Sequence, residues 1–224
     1  MFEHGLILAA GQGTRMLPLT ASIPKPLLPN SEDSLLRHQI DFVRDHVRNL
    51  HVTVGYMADL VSESALEFGA DSVIDIGTGG NASWIRSSNL GLIDSPMIIL
   101  TCDNIMSVDL LGLRTEVENS NRYSYIIPVE KPSEYAGDRL EVQDDKILAM
   151  GPNVTSPLLA SGLQIINPRA VSSRNGTFED FSEVWQTLIT YQELKVSRER
   201  PKSWMAVDTV ENLTDWSKSK LDLI

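Results

Sequence analysis

The chain has 224 residues, 42% hydrophobic and 22% charged, an ordinary globular composition long enough to bury a core without covalent staples. Its net charge of −11 excludes a nucleic-acid binder that relies on a basic footprint, but not a nucleotide binder, because a few placed cations and a divalent ion can hold a triphosphate on an acidic protein. One cysteine, Cys102, rules out a disulfide framework, and no run reaches the roughly 18–20 apolar residues of a membrane span. The start, MFEHGLILAA, lacks a basic leader region, so the expectation is a cytosolic protein with neither nucleic acid nor membrane as partner.

In chain order, residues 2–10 predict a first strand, followed by a long loop over 11–33 with four prolines, Pro18, Pro24, Pro26 and Pro29. A loop of that length in a compact domain is functional or disordered, and its apolar residues favour an ordered one. Leu36, Ile40, Val43 and Val47 predict a helix over 34–48. A strand at 50–56, a helix at 57–68, a strand at Asp71–Ile76, a helix at 81–90 and a strand at Met97–Thr101 follow. That alternation is the grammar of a parallel α/β sheet. After a helix near 108–118, strand-like runs at 122–130, 138–143, 146–150 and 158–166 have few helices between them, which predicts partly antiparallel pairing. A helix at 178–192, strands at 193–198 and 203–207 and a last helix from about 209 complete the chain. With no linker, the expectation is one domain with a nucleotide half (1–120) and an acceptor half (121–224).

The stretch LILAAGQGTRMLPLTASIPKPLLP, residues 6–29, is the most informative. A buried strand breaks at Gly11-Gln12-Gly13-Thr14-Arg15, where glycines let the backbone approach a phosphate and turn amides toward it. Met16 three residues after Gly13 departs from the dinucleotide fingerprint, and no Gly-Lys-Ser/Thr follows to make a Walker A loop. Pro24-Lys25-Pro26 adds a second cation held between residues of fixed φ. The four histidines have no metal-ligand spacing, and no serine–histidine–acid or cysteine–histidine set stands out.

This string resembles the signature of the sugar-phosphate nucleotidyltransferases, with members acting on N-acetylmuramate or hexose 1-phosphates and others on phosphocholine. The resemblance implies a Rossmann-like three-layer α/β/α sandwich with a mixed, mainly parallel central sheet. It also implies an NTP and a phosphorylated acceptor as partners, Mg²⁺ as cofactor, and loss of pyrophosphate. On the matching positions it implies that Leu8, Ala9, Ala10, Gly11, Gly13 and Thr14 lie along the nucleotide, that Arg15 contacts the triphosphate, and that Lys25 neutralises the α-phosphate and the acceptor phosphate. Such chemistry needs cations and positioning more than a strong base, because the acceptor is already an anionic nucleophile.

Asp103, at the end of the central strand, has the address of the family's metal aspartate, with Cys102 where glycine is usual. The alternative is an Asp-Asn turn bonded to its own backbone. Asp208 in WMAVDTVENL resembles the second metal aspartate, but Asp208 or Thr209 would equally cap the last helix. Gly79 and Gly80 resemble the pair that cradles the base, or make a plain turn. Ser161 and Gly162 resemble the acceptor-lining strand, or mark a bulge. Gly137 falls in a Tyr-Ala-Gly stretch that matches an earlier family segment near the acceptor. Val129-Glu130-Lys131-Pro132 looks like the family's acceptor motif but stands at the wrong place, so Lys131 reads as a surface loop residue. Phe178, Phe181, Trp185 and Leu188 read as core packing rather than a sugar platform.

The expected function is transfer of NMP from an NTP to a sugar 1-phosphate. The alternatives are a cytidylyltransferase for a small alcohol phosphate such as phosphocholine, which would need an aromatic cage drawn from Trp84, Trp185 and Trp204, or a silent nucleotide-binding module.

Overall fold

The computed structural model of the protein describes residues 1–30, 33–118, 123–132 and 135–219. Positions 31–32 of the long loop, residue 122 of an expected strand and the expected boundary between halves at 120–121 lie outside them. The elements are β1 (Phe2–Leu8), α1 (Leu35–Arg44), β2 (Val47–Val54), α2 (Ala58–Glu67), β3 (Ser72–Asp75), α3 (Trp84–Ser87), β4 (Met97–Thr101), β5 (Asn104–Ser107), α4 (Leu110–Glu118), β6 (Ser124–Glu130), β7 (Arg139–Gln143), β8 (Lys146–Gly151), β9 (Leu158–Ile166), α5 (Pro168–Ser172), α6 (Phe181–Thr190), β10 (Leu194–Val196), β11 (Ser203–Ala206) and α7 (Val210–Lys218).

Nine of the described strands form one mixed sheet in the order β3-β2-β1-β4-β9-β6-β10-β8-β7. β3, β2, β1 and β4 run parallel, while β9 is antiparallel to both β4 and β6. β5 and β11 make a separate antiparallel ribbon, with Asn104 opposite Ala206. The pleat sorts side chains to two faces. Ile7, Ile98 and Leu100 join one core with Leu36, Ile40 and Val43 of α1, Val61 and Ala65 of α2, Leu113 of α4 and Trp216 of α7. Their neighbours Leu6, Met97 and Ile99 join a second core with Trp84 of α3, Val171 of α5 and Phe181, Val184 and Leu188 of α6. Helices on both faces of a mixed sheet give the expected three layers.

Several boundaries differ from the sequence pattern for local reasons. α1 ends at Arg44, because Val47 pairs with Phe2 at the start of β2 and packs where Gly5 leaves room, 2.8 Å from the place a Cβ would take. The expected helix over 81–90 stops after one turn. The Ser88 hydroxyl accepts from the Leu90 N–H, and a 3-10 turn follows over Asn89–Leu92. α6 begins at Phe181, since Phe178 has φ 55, outside the helical region. β5 and α5 are additional elements. α5 follows an Asn-Pro start in which Asn167 accepts from the Ala170 N–H.

Candidate active site

The register of the parallel strands builds the site floor. Leu8 at the end of β1 lies beside Thr53 of β2 and Thr101 of β4. Beyond these carboxyl ends opens a cavity of about 230 Å³ lined by Leu8, Ala9, Ala10, Gly11, Gly79, Lys25, Cys102 and Asp103. This is where an open α/β sheet binds ligands.

The loop that closes it is ordered by 3-10 turns at Thr14–Met16, Leu19–Ala21 and Lys25–Leu27. Thr20 Oγ1 donates to the Gly13 carbonyl at 3.0 Å, and the Tyr56 hydroxyl donates to the Thr20 carbonyl at 3.0 Å. Gly13 has φ 64, and a Cβ there would stand 2.8 Å from Lys25 Cβ, so the glycine is needed both for the turn and for the lysine to pass. Gly13, Thr14 and Arg15 follow this lining in the chain but are not part of it.

Three sequence-distant elements bring charge together. Lys25 Nζ donates to Asp103 Oδ2 at 2.6 Å and to Asp208 Oδ1 at 2.8 Å. Arg15 reaches the same Asp208 oxygen at 3.1 Å from a largely exposed side chain. Burial works to lower the Lys25 pKa, but the two carboxylates outweigh it and hold it above the ordinary lysine value. Burial likewise works to raise Asp208, and Lys25 with Arg15 overrides it, keeping that carboxyl below its usual range. Cys102 is buried, and its thiol is pushed up by burial and then by Asp103, so it is an inert wall group. The helix-cap alternative for Asp208 is resolved by its neighbour. Thr209 Oγ1 accepts from the Asn212 N–H at 3.2 Å and caps α7, leaving the Asp208 carboxylate to Lys25 and Arg15.

An ammonium therefore already sits where two hard carboxylates converge. Among the described residues no three His, Cys, Asp or Glu side chains gather to hold an ion alone. That donor set fits Mg²⁺, which takes one or two protein carboxylates and completes its shell with phosphate oxygens and water.

A second cavity of about 220 Å³ adjoins the first through Asn81 and Thr101, which line both. Gly137, Gly162, Asp138, Gln164 and Asp208 line it, as do Tyr135, Phe181, Trp185 and Trp204. The rings fall into two pairs, Tyr135 edge-on to Trp204 at 5.5 Å and Phe181 stacked with Trp185 at 6.0 Å. The Asp138 carboxyl is raised by burial and has no partner among the described residues. Ser161 is fully buried behind this wall, its carbonyl accepting from Trp204 Nε1 at 2.8 Å, and does not line the cavity. Gly80 lines neither cavity: a Cβ there would lie 2.2 Å from the Glu179 carbonyl, so packing accounts for that glycine.

Three readings of single residues change. Trp84 is wholly buried in the core and leaves the set of cage candidates. Trp185 departs from its stripe's core role, because its indole reaches the cavity and donates to Gln164 Oε1 at 2.8 Å. Lys131 is a half-buried residue, its ammonium 4.9 Å from the Trp204 ring and 5.5 Å from Tyr135. Buried Arg139 holds that loop by donating to the carbonyls of Lys131, Pro132, Tyr135 and Ser156. Asn81, Thr101 and Asn104 are site residues that sequence reasoning missed. Only the position of Asn104 beside Asp103 carried a signal.

The glycine-rich strand end, the two cations, the two carboxylates and the paired cavities thus meet beyond the carboxyl ends of the parallel strands. The chain belongs to the nucleotidyl transferase family, whose model matches residues 4–221. It is similar to mannose-1-phosphate guanyltransferase 2 of Candida glabrata, 26% identical over 201 residues, covering 75% of this chain and 50% of the relative. The chain thus spans about half the length of the curated relatives it matches. In fold it is similar to a Bacillus anthracis structure assigned as a glucose-1-phosphate thymidylyltransferase, in complex with sucrose (TM-score 0.79, 19% identity, 97% of this chain and 96% of that one). It is also similar to the inositol-1-phosphate CTP transferase of T. maritima (TM-score 0.74, 15% identity, 98% and 97%).

Proposed function

We propose that the chain is a Mg²⁺-dependent nucleotidyltransferase that moves NMP from an NTP to a sugar 1-phosphate. The observation that carries this is the meeting of Lys25, Arg15, Asp103 and Asp208 beside two adjoining cavities. The first cavity takes the nucleotide along Leu8–Gly11 and Gly79, and the second takes the acceptor. An acceptor phosphate oxygen attacks the α-phosphorus. The bond from that phosphorus to the α,β-bridging oxygen breaks, and pyrophosphate leaves with the electron pair. Lys25 turns from the carboxylates to the α-phosphate and acceptor phosphate, offsetting the repulsion between two anions, and Arg15 neutralises the leaving group. Asp103 and Asp208 would hold Mg²⁺, which when bound supplies further charge neutralisation at the phosphates.

The names of the guanyltransferase relatives support a sugar 1-phosphate acceptor. The residues 1–120 and 121–224 act as one unit, each supplying one carboxylate. Among the described residues no helix is long and apolar enough to cross a membrane. The lone buried cysteine and the charge of −11 support a cytosolic enzyme acting on small molecules rather than on nucleic acid. A second reading, a small alcohol phosphate such as phosphocholine as acceptor, is favoured by the two ring pairs in the second cavity and by Asp138, whose carboxyl has no partner among the described residues.

Pyrophosphate release from each NTP with a panel of sugar 1-phosphates and phosphocholine tests both readings. Mg²⁺-dependent release with a sugar 1-phosphate is expected. Release with phosphocholine alone favours the second reading, and no release with any acceptor overturns both.

A further inference from the structure

We infer that Asn104 is a positioning residue that fixes the Asp103 carboxylate for a divalent ion and ties it to the wall of the acceptor cavity; this rests on the reading of Asp103 as a metal-binding group. The two hydrogens of Asn104 Nδ2 are directed to Thr101 Oγ1 at 2.5 Å and Asp103 Oδ1 at 3.1 Å. Asp103 Oδ2 is the oxygen that meets Lys25. With one oxygen on Asn104 and the other on the cation, the carboxylate cannot turn without breaking a contact.

Asn104 is itself held from both sides. Its carbonyl accepts from Nε2 of Gln39, a buried residue of α1, at 2.7 Å, and it pairs with Ala206 on β11, two residues before Asp208. The Val207 N–H donates to the Asp103 carbonyl at 2.8 Å, so the same ribbon brings the second carboxylate into place.

The glycine opposite points the same way. Gly162 has φ 87, and a Cβ there would stand 2.4 Å from Thr101 Oγ1 and 2.5 Å from Asn104 Nδ2. Glycine at 162 is what admits the Thr101–Asn104 contact. An Asp-Asn turn residue without this role would bond to nearby backbone, whereas the Asn104 amide goes to two side chains. Thr101, Asn104 and Gly162 all line the acceptor cavity, so a molecule seated there touches the group that orients Asp103. Partners behind a metal ligand typically change ion affinity by about 10–100-fold.

Mn²⁺ alone, titrated into the protein and followed by water proton relaxation, tests this without turnover. Asn104→Leu keeps the volume and removes both donors, and its Mn²⁺ dissociation constant is expected to rise about tenfold. Gly162→Ala keeps both carboxylates and the Asn104 side chain in the sequence but drives its Cβ into the Thr101–Asn104 contact, and is expected to move in the same direction. Asn104→Ala serves if the leucine variant does not fold. Wild-type affinity in a folded Asn104 variant, with Asp103→Asn weakened, overturns the inference and leaves the metal reading standing. Equal binding by wild type and Asp103→Asn overturns the metal reading and this inference together.

Discussion

Lys25 and Asp208 are 183 positions apart in the chain, and their side chains meet at 2.8 Å. The lysine comes from the loop after β1 and the aspartate from the turn after β11, and Asp103 from the end of β4 completes the contact. Two carboxylates so close together repel unless a cation lies between them. In the free protein Lys25 does that work, and its bulk is accommodated only because Gly13 has no Cβ.

Removing that ammonium is expected to act on stability as well as turnover. Lys25→Met leaves two half-buried carboxylates facing each other, a loss on the order of 1–3 kcal/mol, below that of a fully buried pair because both acids keep about a quarter of their exposure. Arg15→Ala is expected to leave the melting temperature nearly unchanged, since its side chain is 69% exposed. Both should lower pyrophosphate release, Lys25→Met by roughly 10²–10³-fold. Melting curves of the two variants at low and high salt check the contrast, and an equal loss in both would contradict the assignment of Lys25 as the neutralising group.

Asp103→Asn keeps the shape of the side chain and its contact distance to Asn104 while removing its charge. Turnover is expected to fall by roughly 10²–10³-fold with little change in the unfolding midpoint. Near wild-type rates in this variant would remove Asp103 from the metal site.

Much of this was legible in the sequence, and the exceptions have physical causes. The parallel half reads easily because each strand and helix is a local pattern: Leu6-Ile7-Leu8, the stripe Leu36, Ile40, Val43, the run Met97–Thr101. Arg15, Lys25, Asp103 and Asp208 were marked by short strings with fixed neighbours. Of the second cavity's wall, Gly137 and Gly162 were marked in the same way, but the choice among the rings was not. Trp185, Trp204 and Tyr135 converge from α6, β11 and a loop, and nothing local separates a ring that lines a cavity from one buried in a core, as Trp84 is. Gly80 and Gly162 each stand opposite a group far along the chain, Glu179 and Thr101, so their reason for being glycine is a tertiary distance. Val47 shows the same limit: its helical spacing fits α1, and its pairing with Phe2 draws it into β2.

Stability is expected to fall in mild acid through His51. This ring is buried on β2 between His4, whose Nδ1 lies 3.0 Å from its Nε2, and the Ser72 hydroxyl at 2.7 Å from its Nδ1. Burial, then the His4 neighbour, lower its pKa from 6.5 to about 4. Between those values the unfolded chain binds the extra proton, so stability is complete above pH 6.5 and declines as pH falls toward 4. The total is about 3 kcal/mol for this one group, and His38, also lowered chiefly by burial, adds in the same direction. Urea midpoints at pH 7 and pH 5 should separate in wild type and draw together in His51→Gln. An unchanged separation in that variant would assign the acid sensitivity elsewhere.

The second cavity makes a prediction about which substrate each residue serves. Trp204 turns its ring to the second cavity, anchors it to the Ser161 carbonyl and receives the Lys131 ammonium on its face. None of these contacts reaches the Gly11 and Gly79 side of the site, which belongs to the first cavity. Trp204→Ala is expected to raise the acceptor KM by up to about tenfold while the KM for the NTP stays within about twofold, since an aromatic contact is worth about 0.5–1.5 kcal/mol and tenfold corresponds to ~1.4 kcal/mol. Asp138→Asn refines the choice of acceptor. A neutral sugar ring can still bond to the amide, so its KM should change only a few-fold, whereas an ammonium acceptor would lose its counter-charge beside the rings and weaken by about tenfold or more. Steady-state rates with both substrates varied separate the two cases, and a rise in the NTP KM alone would show that the second cavity does not hold the acceptor.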